Sequence, residues 1–433
     1  MMEEESGESD ISRERENALL LSMQFGVLRK ILTHLPARDL GQAALVCNAW
    51  NNVCRIIRKD RQSPNWFEWY SPKIGGKWTL HSPRTKINEE IGRVYCVPQV
   101  CLFFSSESVN SIIYEDEDKK EARLEKCRPQ PAGHSRPSEG LPPVIEHLMK
   151  MMPTNCTTLG LRAYGTVGST WDLSQTVELK NKASFSLLML PKIPGVHINP
   201  FVIQREAFMT VKKMKPGLLS DEQLEGLTGI SPTEEVRCLI VFCDSPDGEG
   251  AAELLIQTLL KRMNNKMAVG GGIGDQFFTS ASHTAPLLTG LAISGDSVQA
   301  LSAVIPQNVT KANKIQEILE QLKSCDLPSE NCVGFMFSCM GRCVGRPKGV
   351  KGTESTLFRN YFPTVPLIGF FGCGEIGFNF VLPCKNQEKS GSVSVSRSEE
   401  PIFKKHKSNK TELMHQYSTI FVLVSLRKGK IKH

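Results

Sequence analysis

Cys339 carries the most reactive chemistry this chain offers, because Arg342 follows it closely at the end of the apolar run Gly334-Phe335-Met336-Phe337-Ser338-Cys339. A cation beside a thiol lowers its pKa and enlarges the thiolate population, so Cys339 is a candidate reactive thiol; the plainer reading is a small inert core residue. A Cys–His hydrolase would also need an ordered histidine, and nothing in the sequence brings His283 or His415 to it. Cys325, Cys332, Cys339 and Cys343 raise the question of zinc. Structural zinc takes two closely spaced pairs; here only Cys339 and Cys343 come near that spacing, and no metal is expected. Glu375 lies in Gly372-Cys373-Gly374-Glu375-Ile376-Gly377, where a carboxylate would receive a ligand's amine or a basic side chain, or else bond local backbone amides. Gly372, Gly374, Glu375 and Gly377 therefore form a candidate ligand or substrate turn. One carboxylate without a placed acid, base or metal partner is no catalytic site, so no catalytic residue and no cofactor are assigned. Gly270-Gly271-Gly272-Ile273-Gly274-Asp275 would cradle a phosphate only if a helix followed; Gln276-Phe277-Phe278 opens none, and tight packing against a neighbouring sheet explains the glycines better.

These residues sit in a recurring pattern of helix, apolar strand and glycine turn. Its cases are Val144 to Met152 with Thr158 to Leu161, Ala252 to Met263 with Met267 to Val269, and Ser355 to Phe362 with Val365 to Phe371. Buried-type strands at Val236 to Cys243 and Cys332 to Cys339 precede the last two cases, which predicts two related halves of an α/β domain. Arg93 to Ser105 is β-rich, with Pro98 confining it to an edge or a break. Leu287 to Ser294 and Ala300 to Ile305 alternate like paired strands. Tyr417 to Leu426 is a last apolar strand that returns to close the domain. Residues 115–140 read as a mobile loop and 384–415 as a mobile, lysine- and serine-rich insertion.

At 433 residues, 40% hydrophobic and 22% charged, the chain has the composition of a soluble protein of two or three domains. The net charge of +7 is mild, and no basic face interleaved with aromatics appears, so no nucleic acid is expected. No run is long and apolar enough for a membrane span. The acidic start, Glu3 to Asp10, is unlike a signal peptide, which predicts a chain kept inside the cell with its fourteen cysteines reduced. Lys404-Lys405-His406-Lys407 adds a weak nuclear signal, and the expected location is cytoplasmic and nuclear.

Gln24 to Ile57 organises the rest. Phe25, Leu28, Leu32 and Leu35 share one helical face, Pro36 stops that helix, and Asp39 stands where it would cap the next. Leu40, Ala44, Cys47, Trp50, Cys54 and Ile57 form a second stripe. So short a module buries too little surface to be stable alone and must dock on the chain or on a partner. Trp66, Phe67, Trp69 and Tyr70 then staple it to its neighbour. Leu35-Pro36, Asp39-Leu40 and Leu45-Val46-Cys47-Asn48-Ala49-Trp50 carry a resemblance to the F-box. The family's opening leucine-proline is replaced here by Leu21-Ser22-Met23-Gln24. The resemblance implies binding to the Skp adaptor, and through it to a cullin–RING scaffold; Leu28, Leu32, Leu35, Pro36, Leu40, Leu45, Val46 and Trp50 would bear that contact or support its shape.

Gly369-Phe370-Phe371-Gly372-Cys373-Gly374-Glu375-Ile376-Gly377 is similar to the signature of FIST domains, and Gly334 to Arg342 matches that family's earlier strand and turn. The expected fold is α+β overall: a small all-α F-box module, then a larger two-part α/β FIST-type domain with mixed sheets. Expected boundaries are a disordered acidic 1–17, an F-box over 18–66, a connector over 67–92, and FIST parts over 93–275 and 276–433. The two resemblances together imply a non-catalytic substrate receptor of a ubiquitin ligase, whose second domain holds the protein to be ubiquitinated and degraded. The alternative they leave is a FIST-type sensor with a small-molecule ligand.

Overall fold

The computed structural model describes residues 24–71, 73–74, 77–78, 83–106, 143–180, 182–214, 217–281, 284–343, 353–382 and 412–427. The acidic start 1–17, the loop 115–140, residues 384–411 of the insertion, the Lys404 to Lys407 stretch and His283 lie outside them.

The first helices among the described residues are α1 (Phe25–Leu32), α2 (Ala37–Ala43) and α3 (Asn48–Asp60). Pro36 is the N-cap residue of α2, and Asp39 lies inside its first turn rather than capping it. The second apolar stripe is broken accordingly: Cys47, the residue before α3, is exposed.

The remainder is three copies of one unit. The first holds β1 (Asn65–Tyr70), a short hairpin of β2 (Lys73–Ile74) and β3 (Lys77–Trp78), α4 (Pro83–Gly92), β4 (Pro98–Ser106), α5 (Pro143–Met151), β5 (Thr157–Ala163), β6 (Gly165–Ser169), β7 (Thr176–Lys180) and β8 (Ser184–Pro191). The second holds β9 (His197–Ile203), α6 (Arg205–Met214), α7 (Asp221–Thr228), β10 (Val236–Cys243), α8 (Pro246–Arg262), β11 (Ala268–Ile273), β12 (Gln276–Thr279) and β13 (Leu288–Ser294). The third holds β14 (Val298–Ile305), α9 (Ala312–Ser324), β15 (Cys332–Cys339), α10 (Thr353–Tyr361), β16 (Leu367–Gly372), β17 (Gly374–Phe378), β18 (Met414–His415) and β19 (Thr419–Leu426).

Each unit contributes one parallel pair across a helical crossover: β4 with β5, β10 with β11 and β15 with β16. Its last strand runs antiparallel to the first member of the pair, as β8 does to β4, β13 to β10 and β19 to β15. The strand after each turn leaves its own sheet for another: β6 joins β16, β12 joins β5, and β17 joins β11. The exchange is cyclic. At the three turns the Tyr164 N–H donates to the Phe371 carbonyl (3.0 Å), the Cys373 N–H to Ile273 (3.0 Å) and the Asp275 N–H to Arg162 (2.8 Å). Phe104, Phe242 and Phe337, at matching places on β4, β10 and β15, meet Phe370 with every pair of ring centroids 5.1–6.2 Å apart. Such contacts add to the burial of the rings and lock the units together.

The mixed-sheet α/β domain is the expected one, but it has three units rather than two halves. The first was hidden because residues 107–142 separate β4 from α5. The division at 275 falls between β11 and β12. The supposed connector 67–92 supplies most of β1 and all of α4. Pro98 does not put β4 at an edge: β4 lies between β8 and β5, with Pro98 at its first residue and a register shift before Val100. β13 and β14 do not pair with each other but lie in different sheets. Residues 412–415, read as part of a mobile insertion, are packed: Leu413 is buried and accepts from the Gly377 N–H (2.9 Å).

The helical module is fastened to this domain by Arg61. Its guanidinium donates to the carbonyls of Leu35 (2.7 Å), Thr33 (2.8 Å) and Tyr95 (3.2 Å) and lies 5.0 Å from the centre of the Tyr95 ring. The Ala37 N–H donates to Val94 (2.8 Å). β1 continues the attachment: Trp69 stacks on Phe185 at 5.4 Å, and the Trp66 indole donates to Thr170 (3.1 Å). Arg61→Ala is expected to cost about 2 kcal/mol by leaving three carbonyls short of a donor. Lysine cannot rescue it, lacking the planar fork. Hydrogen exchange should speed up in residues 33–37 and not in β10 or β15; unchanged exchange at 33–37 would contradict the clamp.

Candidate partner-binding site

The helical module sorts its apolar residues into two sets. Leu28, Leu32 and Leu40 are fully buried with Val53, Cys54 and Ile57, forming the module's own core. Of the two roles the resemblance implies for them, adaptor contact or support of its shape, burial gives these three the second. Leu35 and Trp50 are half-buried at the border of that core. Pro36 lines a cleft of about 590 Å³ at the joint with the second domain, beside His34, Trp66 and Tyr95. Leu45 is 79% exposed and Val46 62% exposed, in the turn between α2 and α3.

Phe25, Val27 and Ile31 on α1 are also about half exposed. Val27 and Ile31 escaped the sequence reading, which followed only the Leu28–Leu32 stripe. The signal was present: they are spaced one turn apart on α1, so the helix has a second apolar face. Apolar side chains kept in water on a module this small are what a partner surface requires.

Around Cys339 the structure departs from expectation. The thiol is buried at the end of β15, and burial, then the carboxyl of Glu375, push its pKa up. Arg342 does not activate it. The guanidinium is committed to Glu354 (2.8 Å) and to the carbonyls of Val309 (2.7 Å), Tyr417 (2.9 Å) and Pro306 (3.0 Å). His415 stands opposite Glu375 in the β17–β18 pairing, but its ring nitrogen lies against the Gly377 carbonyl at 3.1 Å. Among the described residues no hydrogen bond joins it to Cys339. Cys339 is a buried core thiol, and the reactive-thiol reading is withdrawn.

Glu375 is buried as well, and points away from solvent. One carboxylate oxygen accepts from the Ser418 hydroxyl (2.7 Å) and the Ser418 N–H (3.0 Å). That oxygen is held by a residue 43 positions along the chain, not by the amides of its own turn. Gly372, Gly374 and Gly377 are strand residues closed by neighbours: a Cβ on Gly372 would stand 2.4 Å from the Ile273 oxygen, and one on Gly377 would stand 2.7 Å from Ile420. The ligand-turn reading fails on these contacts. Gly271 is bound in the same way, with φ +147° and the Val241 oxygen 1.8 Å from where a Cβ would be. That leaves no space for a phosphate. Among the described residues no group of histidine, cysteine and acidic side chains is arranged to hold a metal.

Burial, opposed by its bonds to Ser418, pushes the Glu375 carboxyl up to about 7. Its folded-state pKa is raised, so its stabilising contribution is complete below the ordinary carboxylate range and is lost as pH rises through about 7. The urea midpoint of the wild type should therefore fall from about pH 5 to about pH 8 relative to Glu375→Gln. Parallel profiles for the two proteins would show that the carboxyl is not held protonated.

The described helices of the first module carry an exposed apolar set and are followed by a mixed-sheet domain. Residues 20–62 match the F-box domain and residues 291–378 match the FIST C domain, so the chain carries an F-box followed by a FIST C domain. It is similar to F-box only protein 22 of Homo sapiens, 27% identical over 430 residues covering 96% of each chain. The Pongo abelii protein of that name is also 27% identical, over 434 residues and 96% of each chain. Cyanuric acid hydrolase from A. caulinodans aligns with 84% of this chain and 99% of its own at 7% identity and a TM-score of 0.34, too slight a likeness to carry an argument.

Proposed function

We propose that this chain is the substrate-recognition subunit of an SCF-type cullin–RING ubiquitin ligase. The F-box binds the Skp adaptor through Leu45 and Val46, joined by Phe25, Val27 and Ile31, while the FIST-type domain holds the protein to be ubiquitinated. The mechanism is proximity: a substrate lysine held near the charged E2 enzyme reacts as if at high local concentration. The chain supplies no catalytic group of its own. A cytoplasmic and nuclear location goes with this reading.

The observation that carries the proposal is the division of labour inside the F-box. Its core is complete without Leu45 and Val46, so their apolar side chains contribute nothing to folding by staying in water. The Arg61 clamp supports it too, because proximity works only if the two modules move as one.

Co-expression with the Skp adaptor followed by size-exclusion chromatography tests the reading. A stoichiometric complex is expected. A monomer that ignores the adaptor would withdraw the ligase function and leave a stand-alone binding protein.

A further inference from the structure

A cleft of about 610 Å³ runs along β1, which pairs with β8 and among the described residues has no strand on its other side. The Ser71 N–H donates to the Ala183 carbonyl (2.9 Å), and this fixes the alternation in the β1–β8 pair. Phe67 and Trp69 turn their backbone groups to β8, whereas Trp66, Glu68 and Tyr70 turn theirs to the open edge. Among the described residues no turn or loop backbone bond reaches those three. An unpaired edge of this kind is a template for another strand.

The walls say which strand. Helix α4 brings Lys86, Glu89 and Glu90 from one side, and the β6–β7 turn brings Trp171 and Asp172 from the other. Trp171 is 73% exposed, a large flat side chain standing free over the cleft. Glu68 lies on the floor, where burial pushes its carboxyl up and Lys86 pulls the other way. Four carboxylates line the cleft against one lysine, Lys86, which is paired with Glu90. The chain as a whole carries a net charge of +7, so this acidic lining is local.

We propose that the β1 cleft captures an extended peptide bearing lysine or arginine at alternate positions, which adds to the sheet as a strand beside β1. Backbone bonds to Trp66, Glu68 and Tyr70 supply affinity, Glu68 and Asp172 meet the basic side chains, and Trp171 covers the peptide. The proposal rests on the receptor reading, of which it names the substrate class.

The test uses the full chain and a fluorescein-labelled short peptide of alternating lysine and valine, followed by anisotropy. It should bind at least about ten-fold tighter than the matching glutamate–valine peptide. Glu68→Gln and Trp171→Ala should each weaken it about ten-fold, while co-elution with the Skp adaptor stays unchanged. Saturating peptide should slow amide exchange at Trp66, Glu68 and Tyr70. Equal binding of the acidic peptide, or unprotected β1 amides, overturns the proposal. So does binding that emerges only when residues 107–142 are deleted, which would assign the cleft to that segment. Peptide binding that survives in a chain unable to bind the adaptor would sink the ligase reading and leave the cleft standing.

Discussion

Replacing Leu45 and Val46 together by aspartate is expected to leave the protein folded and to abolish the proposed association with the Skp adaptor. Both side chains are in water in the free chain, so the substitution removes no buried contact and should change stability by about 0.5 kcal/mol or less. In a complex they would be desolvated anchors. Losing two such anchors costs about 4 kcal/mol, roughly a thousand-fold in affinity, and each buried aspartate adds to the loss. Leu28→Ala is the control. Leu28 is fully buried in the module's core, so that variant should lose about 2–5 kcal/mol locally and release the adaptor by melting the helices. Circular dichroism and hydrogen exchange tell the two failures apart. If the aspartate pair binds adaptor as the wild type does, the partner surface lies elsewhere, and Val27 and Ile31 become the next residues to change.

Arg342→Met should be among the most damaging substitutions in the second domain, at about 3–5 kcal/mol, because it strands Glu354 as a buried charge. Both partners are almost wholly buried, with side chains 2% and 3% exposed and an Nε–oxygen separation of 2.8 Å. The guanidinium also closes three carbonyls around the end of β14 and the approach to β19, and the other Glu354 oxygen accepts from the Thr419 hydroxyl (2.6 Å). Arg342→Met combined with Glu354→Leu removes both charges and should recover much of the loss, since two apolar groups replace a pair that had to be desolvated. The double-mutant cycle from denaturant midpoints should show coupling well above 1 kcal/mol. Simple additivity would mean that the pair is not the unit that holds these elements.

Close packing around the third copy is expected to add to the loss in Arg342→Met. In the cyclic exchange β16 receives β6 and β17 joins β11, and Gly369 on β16 stands where a Cβ would be 1.8 Å from the Met336 oxygen. Packing this close leaves no room for repacking after a charge is stranded. The same closeness removed the candidate ligand turn.

The sequence by itself determined the local elements and the identity of the first module. Leucine spacing in Gln24 to Ile57, Leu35-Pro36 and Leu45 to Trp50 were enough, because helix period and proline stops act over a few residues. Apolar runs bounded by glycines likewise marked β10, β11, β15, β16 and β19. Only the tertiary structure decided what those elements face. Period places Leu28 and Leu32 on one stripe and Val27 and Ile31 on another, but which stripe is core depends on α3 packing against it. β6 pairs with β16 across some two hundred residues of chain, and nothing local to either encodes that choice. Cys339 and Arg342 are three apart in sequence, yet the guanidinium belongs to Glu354 and three carbonyls. Nearness along the chain fixes backbone conformation, whereas a buried charge goes to whichever partners can satisfy it, and those are set by the fold.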